Sequence, residues 1–272
     1  MGFGGYGSGS GPGRGNRRPP RRLAGNERNA IIVVVAVALV VILLRTHRIT
    51  RFEVIYFLVL IPSIILHEIS HGVVALAFGD DTAKRMGRLT LNPIRHVDPI
   101  GTLLVPAVLS LSGLGAYGWA KPVPVSTNRL RSPRNQTVLV SLVGPLTNII
   151  LAALFGLAFV LTTPSVTRQT VAQVGGLGQY VTGGYIPPTL LGQILIVGGI
   201  ANLVLALFNL IPCPPLDGAA VLERFIPARL LPDYYRLQPL LMFLPFILIL
   251  LFRNQWSQLL THLISWWAHV LA

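Results

Sequence analysis

Long apolar runs recur along the chain, and short basic or polar stretches separate them. The runs occupy residues 30–44, 54–78, 136–161, 190–211 and 237–252. A helix rises about 1.5 Å per residue, so about 20 apolar residues cross a hydrocarbon core about 30 Å thick. We therefore predict a transmembrane helix in each run, with flanking residues extending the shorter ones. The expected fold class is an all-α polytopic membrane protein with about five to six transmembrane helices.

Two further apolar segments permit more than one interpretation. Residues 100–119 are long enough to cross a membrane, but Pro106 and several glycines interrupt them. Residues 254–272 carry three tryptophans and two histidines among apolar residues. This pattern predicts either a last short crossing or an amphipathic helix at the membrane interface.

Basic residues mark the loops that we expect on the cytoplasmic side. Residues 79–135 and 218–236 are rich in Lys and Arg, whereas residues 162–188 contain a single charged residue, Arg168. Lys and Arg concentrate in cytoplasmic loops, so residues 162–188 are expected on the outer face. Residues 1–29 are rich in Gly, Arg and Pro and cannot build a core. They predict a disordered basic cytoplasmic tail that can contact anionic lipid.

The composition agrees with a membrane protein and excludes other classes. Of the 272 residues, 52% are hydrophobic and only 11% are charged. The formal net charge of +13 is explained by basic cytoplasmic loops, so we expect no nucleic-acid partner. The single cysteine, Cys213, rules out an internal disulfide framework and a Cys-rich zinc cluster.

A possible metal site lies within the second apolar run. His67, Glu68 and His71 form the pattern H-E-x-x-H. On a helix, residues four apart share one face, so both imidazoles can reach one metal ion. Glu68 then lies beside the metal, where a base for a metal-bound water belongs. Ionisable residues in a membrane helix are costly, and their presence here indicates function.

The same pattern also fits a membrane protein that binds or transports a divalent metal without proteolysis. A hydrolase needs a general base next to the metal, whereas a transporter does not. The intact Glu68 therefore favours the hydrolase, and metal binding or transport is kept as the alternative.

A catalytic zinc needs a third protein ligand, and Asp217 is the best candidate. It ends the segment 209–218, which has three prolines in four positions and cannot form a regular helix. Irregular backbone at membrane depth is tolerated where it is packed in protein or lines a cavity. Asp217 could instead cap a helix predicted at 218–225. His96 and Asp98 are competing ligands, but they lie in a basic, turn-rich stretch.

Five ordered motifs resemble those of the site-2 protease family of intramembrane zinc metalloproteases. They are H-E-x-x-H at 67–71, Asn-Pro…His-x-Asp-Pro-x-Gly-Thr at 92–102, Gly-Trp-Ala-Lys-Pro-Val-Pro-Val at 118–125, Gly-Pro-x-x-Asn at 144–148, and Asn-x-x-Pro-x-Pro-Pro-Leu-Asp-Gly at 209–218. Together they extend over roughly residues 54–226, which are expected to form the protease core. We expect a minimal member of the family, without an inserted PDZ domain or a CBS domain.

The resemblance implies a Zn²⁺ ion held by His67, His71 and Asp217, with Glu68 as general base. It also implies that Asn209 positions or polarises the substrate carbonyl, and Asn148 is assigned to substrate binding as well. The implied substrates are single-pass transmembrane proteins, cleaved in or near their membrane segment. The implied location is a bacterial plasma membrane, with the N-terminus in the cytoplasm.

Domain boundaries and two local features complete the expectations. Residues 30–53 should form the first transmembrane helix and a hairpin, and residues 227–272 should form C-terminal transmembrane and interfacial helices. Residues 88–91 and 122–125 have strand character and predict a short cytoplasmic β element, with a plain surface turn as the alternative. Asp217 must reach the same half of the bilayer as the histidines, so residues 100–119 are expected to form a re-entrant or surface hairpin.

Overall fold

The computed structural model describes residues 51–96, 121–174 and 189–272, together with positions 34, 38 and 98. The helices of the three continuous ranges are α1 (Arg51–Ala77), α2 (Thr82–Arg85), α3 (Pro133–Thr162), α4 (Ser165–Val174), α5 (Leu190–Asn209), α6 (Gly218–Phe225), α7 (Leu231–Leu241), α8 (Leu244–Leu251) and α9 (Arg253–Val270). Single 3₁₀ turns lie at Pro93–Arg95, Thr127–Arg129 and Ala228–Leu230.

Three of these helices are long and apolar enough to cross a membrane. They are α3, α5 and the part of α1 from Val54 to Ala77. All three coincide with predicted crossings. The predicted crossing at 30–44 lies outside the described residues, apart from positions 34 and 38, which are helical. The predicted total of five to six crossings therefore stays a prediction.

The predicted crossing at 237–252 does not form one helix. The chain forms α7 and α8 instead, with a break at Met242 and Phe243. Pro245 lies at the start of α8, and proline disfavours helical backbone at the residue before it and cannot donate a backbone hydrogen bond. The apolar run is thus divided into two helices that are each too short to span a bilayer.

Helices α1, α3 and α5 pack together into the central bundle. Their shared core also receives side chains from α4 and α9. The buried apolar residues of this core include Ile55, Val59, Ala152, Phe159, Val171, Leu195, Ile196, Ile200, Ile264, Trp267 and Leu271. Because α1 and α3 leave much of their apolar surface exposed, the bundle is suited to a lipid environment.

The order of contacts along α1 and α3 fixes their relative direction. His67 of α1 contacts Asn148 of α3. His71, one turn later in α1, contacts Val140, which lies two turns earlier in α3. The two helices are therefore antiparallel, so the chain leaves α1 and enters α3 at the same end of the bundle.

The connection between α1 and α3 is pinned at that end. The backbone N–H of Arg131 donates to the carbonyl of Phe78 at 3.2 Å, and the backbone N–H of Lys121 donates to the carbonyl of His96 at 2.8 Å. Residues 96 and 121 are thus neighbours, as a hairpin between them requires. The predicted hairpin at 100–119 itself lies outside the described residues.

The predicted β element is wrong for the described residues. Residues 88–91 and 122–125 are extended or turn-like and do not pair as strands. Their link is a hydrogen bond from the Arg88 side chain to the carbonyl of Pro122 at 3.5 Å. Pro122 and Pro124 lack backbone N–H groups, so this segment cannot supply a regular ladder of donors.

The region predicted as an outer polar loop contains a helix. Residues 162–188 include α4, and the residues that follow it, 175–188, lie outside the described ranges. The Arg168 side chain in α4 donates to the carbonyl of Leu271 at 3.0 Å. At the opposite end of α9, Trp256 lies edge-on to Phe208 near the end of α5. Helix α9 therefore lies along the bundle rather than across one end of it.

Candidate metal centre

The second half of α1 brings two histidines to one buried face. His67 and His71 are 4% and 8% exposed, and their ring centroids are 4.7 Å apart at an interplanar angle of 85°. Their four-residue spacing stacks them on successive turns of α1. The helix alone therefore presents two imidazoles to one point, as predicted from the sequence.

The proline-rich loop between α5 and α6 brings Asp217 to the same point. Its carboxylate oxygen Oδ2 lies 3.0 Å from Nε2 of His67, and Oδ1 lies 3.4 Å from Nε2 of His71. Asp217 precedes α6 but makes no side-chain capping hydrogen bond to it. Its carboxylate is thus turned to the histidines and does not cap the helix.

Gly218 permits the tight path that places Asp217. A Cβ atom at this position would lie 2.4 Å from the carbonyl oxygen of Leu210 and 2.5 Å from that of Ile211. Backbone atoms cannot move aside as flexible side chains do. The loop can therefore close onto the start of α6 only because residue 218 has no side chain.

The three side chains fit a zinc ion by chemistry and by spacing. The two carboxylate–imidazole distances of 3.0 and 3.4 Å agree with the separation of about 3.3 Å between ligands of tetrahedral zinc with bonds of about 2.0–2.1 Å, and all three ligand atoms lie within 4.8 Å of one another. Oδ2 of Asp217 is buried and has no hydrogen-bond donor. Converging lone pairs without donors repel each other unless a cation joins them. Two imidazoles and one carboxylate also form a known catalytic zinc set.

Hydrogen bonds behind the histidines point the correct nitrogens at this site. Nδ1 of His71 donates to the carbonyl of Val140 at 2.6 Å, and Nδ1 of His67 donates to Oδ1 of Asn148 at 2.5 Å. A proton on Nδ1 leaves Nε2 with its lone pair towards Asp217. Partners of this kind fix the tautomer and the ring orientation of metal-binding histidines.

Gly144 makes room for both imidazoles. A Cβ atom at this position would lie 2.5 Å from Cε1 and Nε2 of His71 and 2.6 Å from Cε1 of His67. Helix α3 therefore approaches the ligands more closely than any other residue would allow. Pro145 follows in the same turn.

Glu68 lies next to the ligands but does not belong to the ligand group. Its Oε2 accepts a hydrogen bond of 2.7 Å from the backbone N–H of Val123. Val123 packs against α1 at Gly72, where a Cβ atom would lie 3.0 Å from its Cγ1. The segment around residue 123 thus holds the carboxylate that was predicted to act as base.

The remaining predicted site residues lie around the centre. Asn148 is fully buried behind His67, and its side chain also donates to Asn202 at 2.8 Å. Asn209 ends α5 and donates to the carbonyl of Leu205 in its own helix at 2.9 Å. The assignment of both asparagines to substrate binding stays a prediction.

The competing ligands do not join the cluster. Within the described ranges, the group able to hold a metal consists of His67, His71 and Asp217 alone. His96 is buried and its ring is hydrogen-bonded through Nε2 to the carbonyl of Thr90 at 2.8 Å. Cys213 is a buried free thiol that does not belong to this group.

Three contributors to the site were not identified from the sequence. The contact of Gly144 with the histidines, the Val123 N–H on Glu68 and the bond between Asn202 and Asn148 all cross between elements. The Gly-Pro-x-x-Asn motif contained Gly144 and Asn148, so their shared position one turn apart on α3 was the available signal. Nothing in the sequence pairs Val123 with Glu68.

The chain is similar in sequence to a peptidase family and to proteins named as zinc metalloproteases. The model of peptidase family M50 matches residues 55–252. The chain is 41% identical over 168 residues to the Bacillus subtilis protein named "Putative zinc metalloprotease YwhC", covering 62% of this chain and 67% of that protein. It is 33% identical over 165 residues to "Putative zinc metalloprotease Rip2" of Mycolicibacterium smegmatis, covering 59% of this chain and 53% of that protein.

A protein of the same name from Mycobacterium tuberculosis is also 33% identical over 162 residues. The chain spans about half the length of these mycobacterial relatives. No solved structure matches it. The family match includes every residue of the metal centre and most of the described helices, and the chain therefore belongs to peptidase family M50, the site-2 protease family.

Proposed function

We propose that this chain is an intramembrane zinc metalloprotease that hydrolyses peptide bonds in or near the transmembrane segment of single-pass membrane proteins. The observation that carries the proposal is the convergence of His67, His71 and Asp217 on one buried point beside Glu68. These residues lie among helices apolar enough to cross a bilayer. A metal centre between such helices lies within the membrane, so the peptide bond that it hydrolyses must belong to a substrate that enters the membrane.

The residues of the chain take the following roles in the reaction. His67, His71 and Asp217 would hold a zinc ion, which when bound would lower the pKa of a water ligand towards about 7 and so make a nucleophile available at neutral pH. Glu68 accepts a proton as water attacks the peptide carbonyl and returns it to the leaving amine. Asn209 polarises the substrate carbonyl as negative charge develops on its oxygen.

The extended segment around Val123 presents the substrate to Glu68. A transmembrane helix satisfies its own backbone hydrogen bonds, so it must unwind before it can be cut. An unwound substrate can then pair with an exposed backbone edge. The segment runs past Glu68 and, because it contains Pro122 and Pro124, it offers carbonyl acceptors more readily than donors.

The orientation in the membrane follows from the basic connection between α1 and α3. We infer that this end of the bundle and the N-terminus face the cytoplasm of a bacterial cell. In a Cys213→Ala background, single cysteines at Ser126 and Ser132 should react with membrane-impermeant thiol reagents only after the membrane is opened. Labelling of these cysteines in intact cells would show that this end of the bundle faces outwards, which would contradict the inferred orientation.

The test of the function uses full-length protein reconstituted with a single-pass substrate. Glu68→Gln should bind zinc as the wild type does but lose cleavage, because an amide cannot accept the proton. Asp217→Ala should lose both zinc and cleavage. A Glu68→Gln protein that cuts at the wild-type rate would exclude Glu68 as the base. Wild-type protein that holds zinc but cuts no membrane substrate would favour the metal-binding alternative.

A further inference from the structure

A chain of buried hydrogen bonds leads away from His67 through the centre of the bundle. Asn148 donates from Nδ2 to Oδ1 of Asn202 at 2.8 Å. Asn202 donates in turn to the hydroxyl of Ser63 at 2.9 Å and to the carbonyl of Gly198 at 2.9 Å. Ser63 donates to the carbonyl of Val59 at 2.9 Å. Asn148 and Asn202 are fully buried and Ser63 is 3% exposed.

Each bond in this chain sets the direction of the next one. The single hydroxyl proton of Ser63 is given to Val59, so the Ser63 oxygen can only accept from Asn202. Nδ2 of Asn202 therefore points to Ser63 and Gly198, and its Oδ1 points to Asn148. Asn148 must then offer Nδ2 to Asn202 and Oδ1 to His67.

The two histidines differ in how firmly their tautomers are set. Nδ1 of His71 faces a backbone carbonyl, that of Val140, which can only accept. Nδ1 of His67 faces the Asn148 amide, which can present either a donor or an acceptor by rotating half a turn. An isolated Asn148 would thus leave the proton on His67 undetermined, and a partner must hold its orientation.

We propose that Asn202, supported by Ser63, is a positioning residue for the metal centre. It holds the Asn148 amide so that His67 keeps its proton on Nδ1 and presents Nε2 to the metal. The network joins α1, α3 and α5, so it also fixes the position of His67 along the bundle axis relative to α3 and α5. The proposal rests on the zinc site and not on the identity of the substrate.

The test compares zinc affinity between variants of the full-length protein in detergent, by competition with a chelator of known affinity. Asn202→Leu removes the amide while keeping a similar volume. It should weaken zinc binding about 10- to 100-fold, as loss of the hydrogen-bond partner of a metal ligand commonly does. Thr147→Val is the matched control, because the Thr147 hydroxyl donates only to Val143 in its own helix. The zinc affinity of this variant should equal that of the wild type.

Two further measurements separate positioning from general destabilisation. The visible spectrum of the cobalt(II)-substituted protein should change in Asn202→Leu but not in Thr147→Val, because it reports the ligand geometry. Asn202→Leu added to Asn148→Leu should weaken zinc binding much less than it does alone, because both act through His67. Ser63→Ala should weaken zinc binding measurably, because one of the two acceptors that orient Asn202 is lost, but by less than tenfold, because Gly198 still accepts from Asn202.

Wild-type zinc affinity and an unchanged cobalt spectrum in folded Asn202→Leu would overturn the proposal. If that variant does not fold, Ser63→Ala decides, and an affinity equal to the wild type would overturn it equally. Zinc affinity is measured without a substrate. Wild-type protein that binds zinc but cuts no membrane helix would therefore refute the proposed function and leave this inference intact.

Discussion

Replacing Gly144 with alanine should detach the metal from at least one of its histidine ligands. The new Cβ atom would lie 2.5 Å from two ring atoms of His71 and 2.6 Å from one of His67, whereas ordinary contact begins at 3.4 Å. The rings or α3 must therefore move by about 0.9 Å. Metal–ligand distances vary by only about 0.2 Å in genuine sites, so the displacement exceeds what the site can absorb.

The expected loss is larger than for a change behind the ligands. Removing a hydrogen-bond partner of a ligand costs about 10- to 100-fold in metal affinity, and displacing a ligand itself should cost more than about 100-fold. The assay is chelator competition on the purified full-length protein, with unfolding temperatures of the metal-free form measured in parallel.

Gly156→Ala provides a matched control in the same helix. A Cβ atom there would lie 2.5 Å from Cη2 of Trp267, so both variants add one methyl group to an equally tight contact. Overpacking costs about 1–3 kcal/mol of stability in either case. Gly156→Ala should keep wild-type zinc affinity because Trp267 does not touch the metal centre. Gly144→Ala with wild-type zinc affinity would refute the account of how α3 approaches the ligands.

Two further predictions concern the connection between α1 and α3. Val123→Pro removes the N–H that donates to Glu68, so cleavage should fall at least about tenfold with zinc content unchanged, whereas Val123→Ile should cleave normally. Equal activity of the two variants would show that Glu68 does not need this hydrogen bond. Burial opposes ionisation of Asp80, but hydrogen bonds from Thr82 and Ser126 and the charge of Arg129 outweigh it and lower the pKa of Asp80. Because the pKa of Asp80 is lower in the folded state than its unfolded-state value of 3.8, the ionised carboxylate stabilises the fold above pH 3.8. This stabilisation is lost as the pH falls through the folded-state pKa. Asp80→Asn should therefore cost about 1.5–3 kcal/mol at neutral pH, and its unfolding temperature should approach that of the wild type in acid; a constant difference at all pH values would contradict this.

The elements that long sequence patterns encode were predicted well. Helices α1, α3 and α5 follow apolar runs of 20 residues or more, because a segment that is apolar throughout has few alternatives to a buried or lipid-facing helix. His67 and His71 need only the geometry of one helix to meet. Asp217 was predicted because zinc needs a third ligand and the prolines before it exclude a regular helix.

The features that depend on contacts between distant segments were not predictable. Strand character at 122–125 suggested a β element, but the Val123 N–H donates to Glu68 instead of to a strand. The division of the run at 237–252 was missed for a different reason, since its cause, Pro245, is local and the apolar character of the run suggested a single crossing. Asn202 is a polar residue in a largely apolar helix, and its partners lie 54 and 139 positions away along the chain.

Helix α3 is the element that aligns the two halves of the metal centre. One half is the histidine pair of α1, which α3 contacts through Gly144 and Asn148. The other half is Asp217, which lies at the start of α6, and the side chain of Arg134 at the start of α3 donates to the carbonyl of Ile226 just beyond the end of α6 at 2.5 Å. A short helix held at its far end by Arg134 and at its near end by the tight turn at Gly218 has little freedom to move Asp217. The carboxylate is thus fixed relative to the same helix that fixes the histidines, and a loop rich in proline can supply a ligand as well placed as those of a continuous helix.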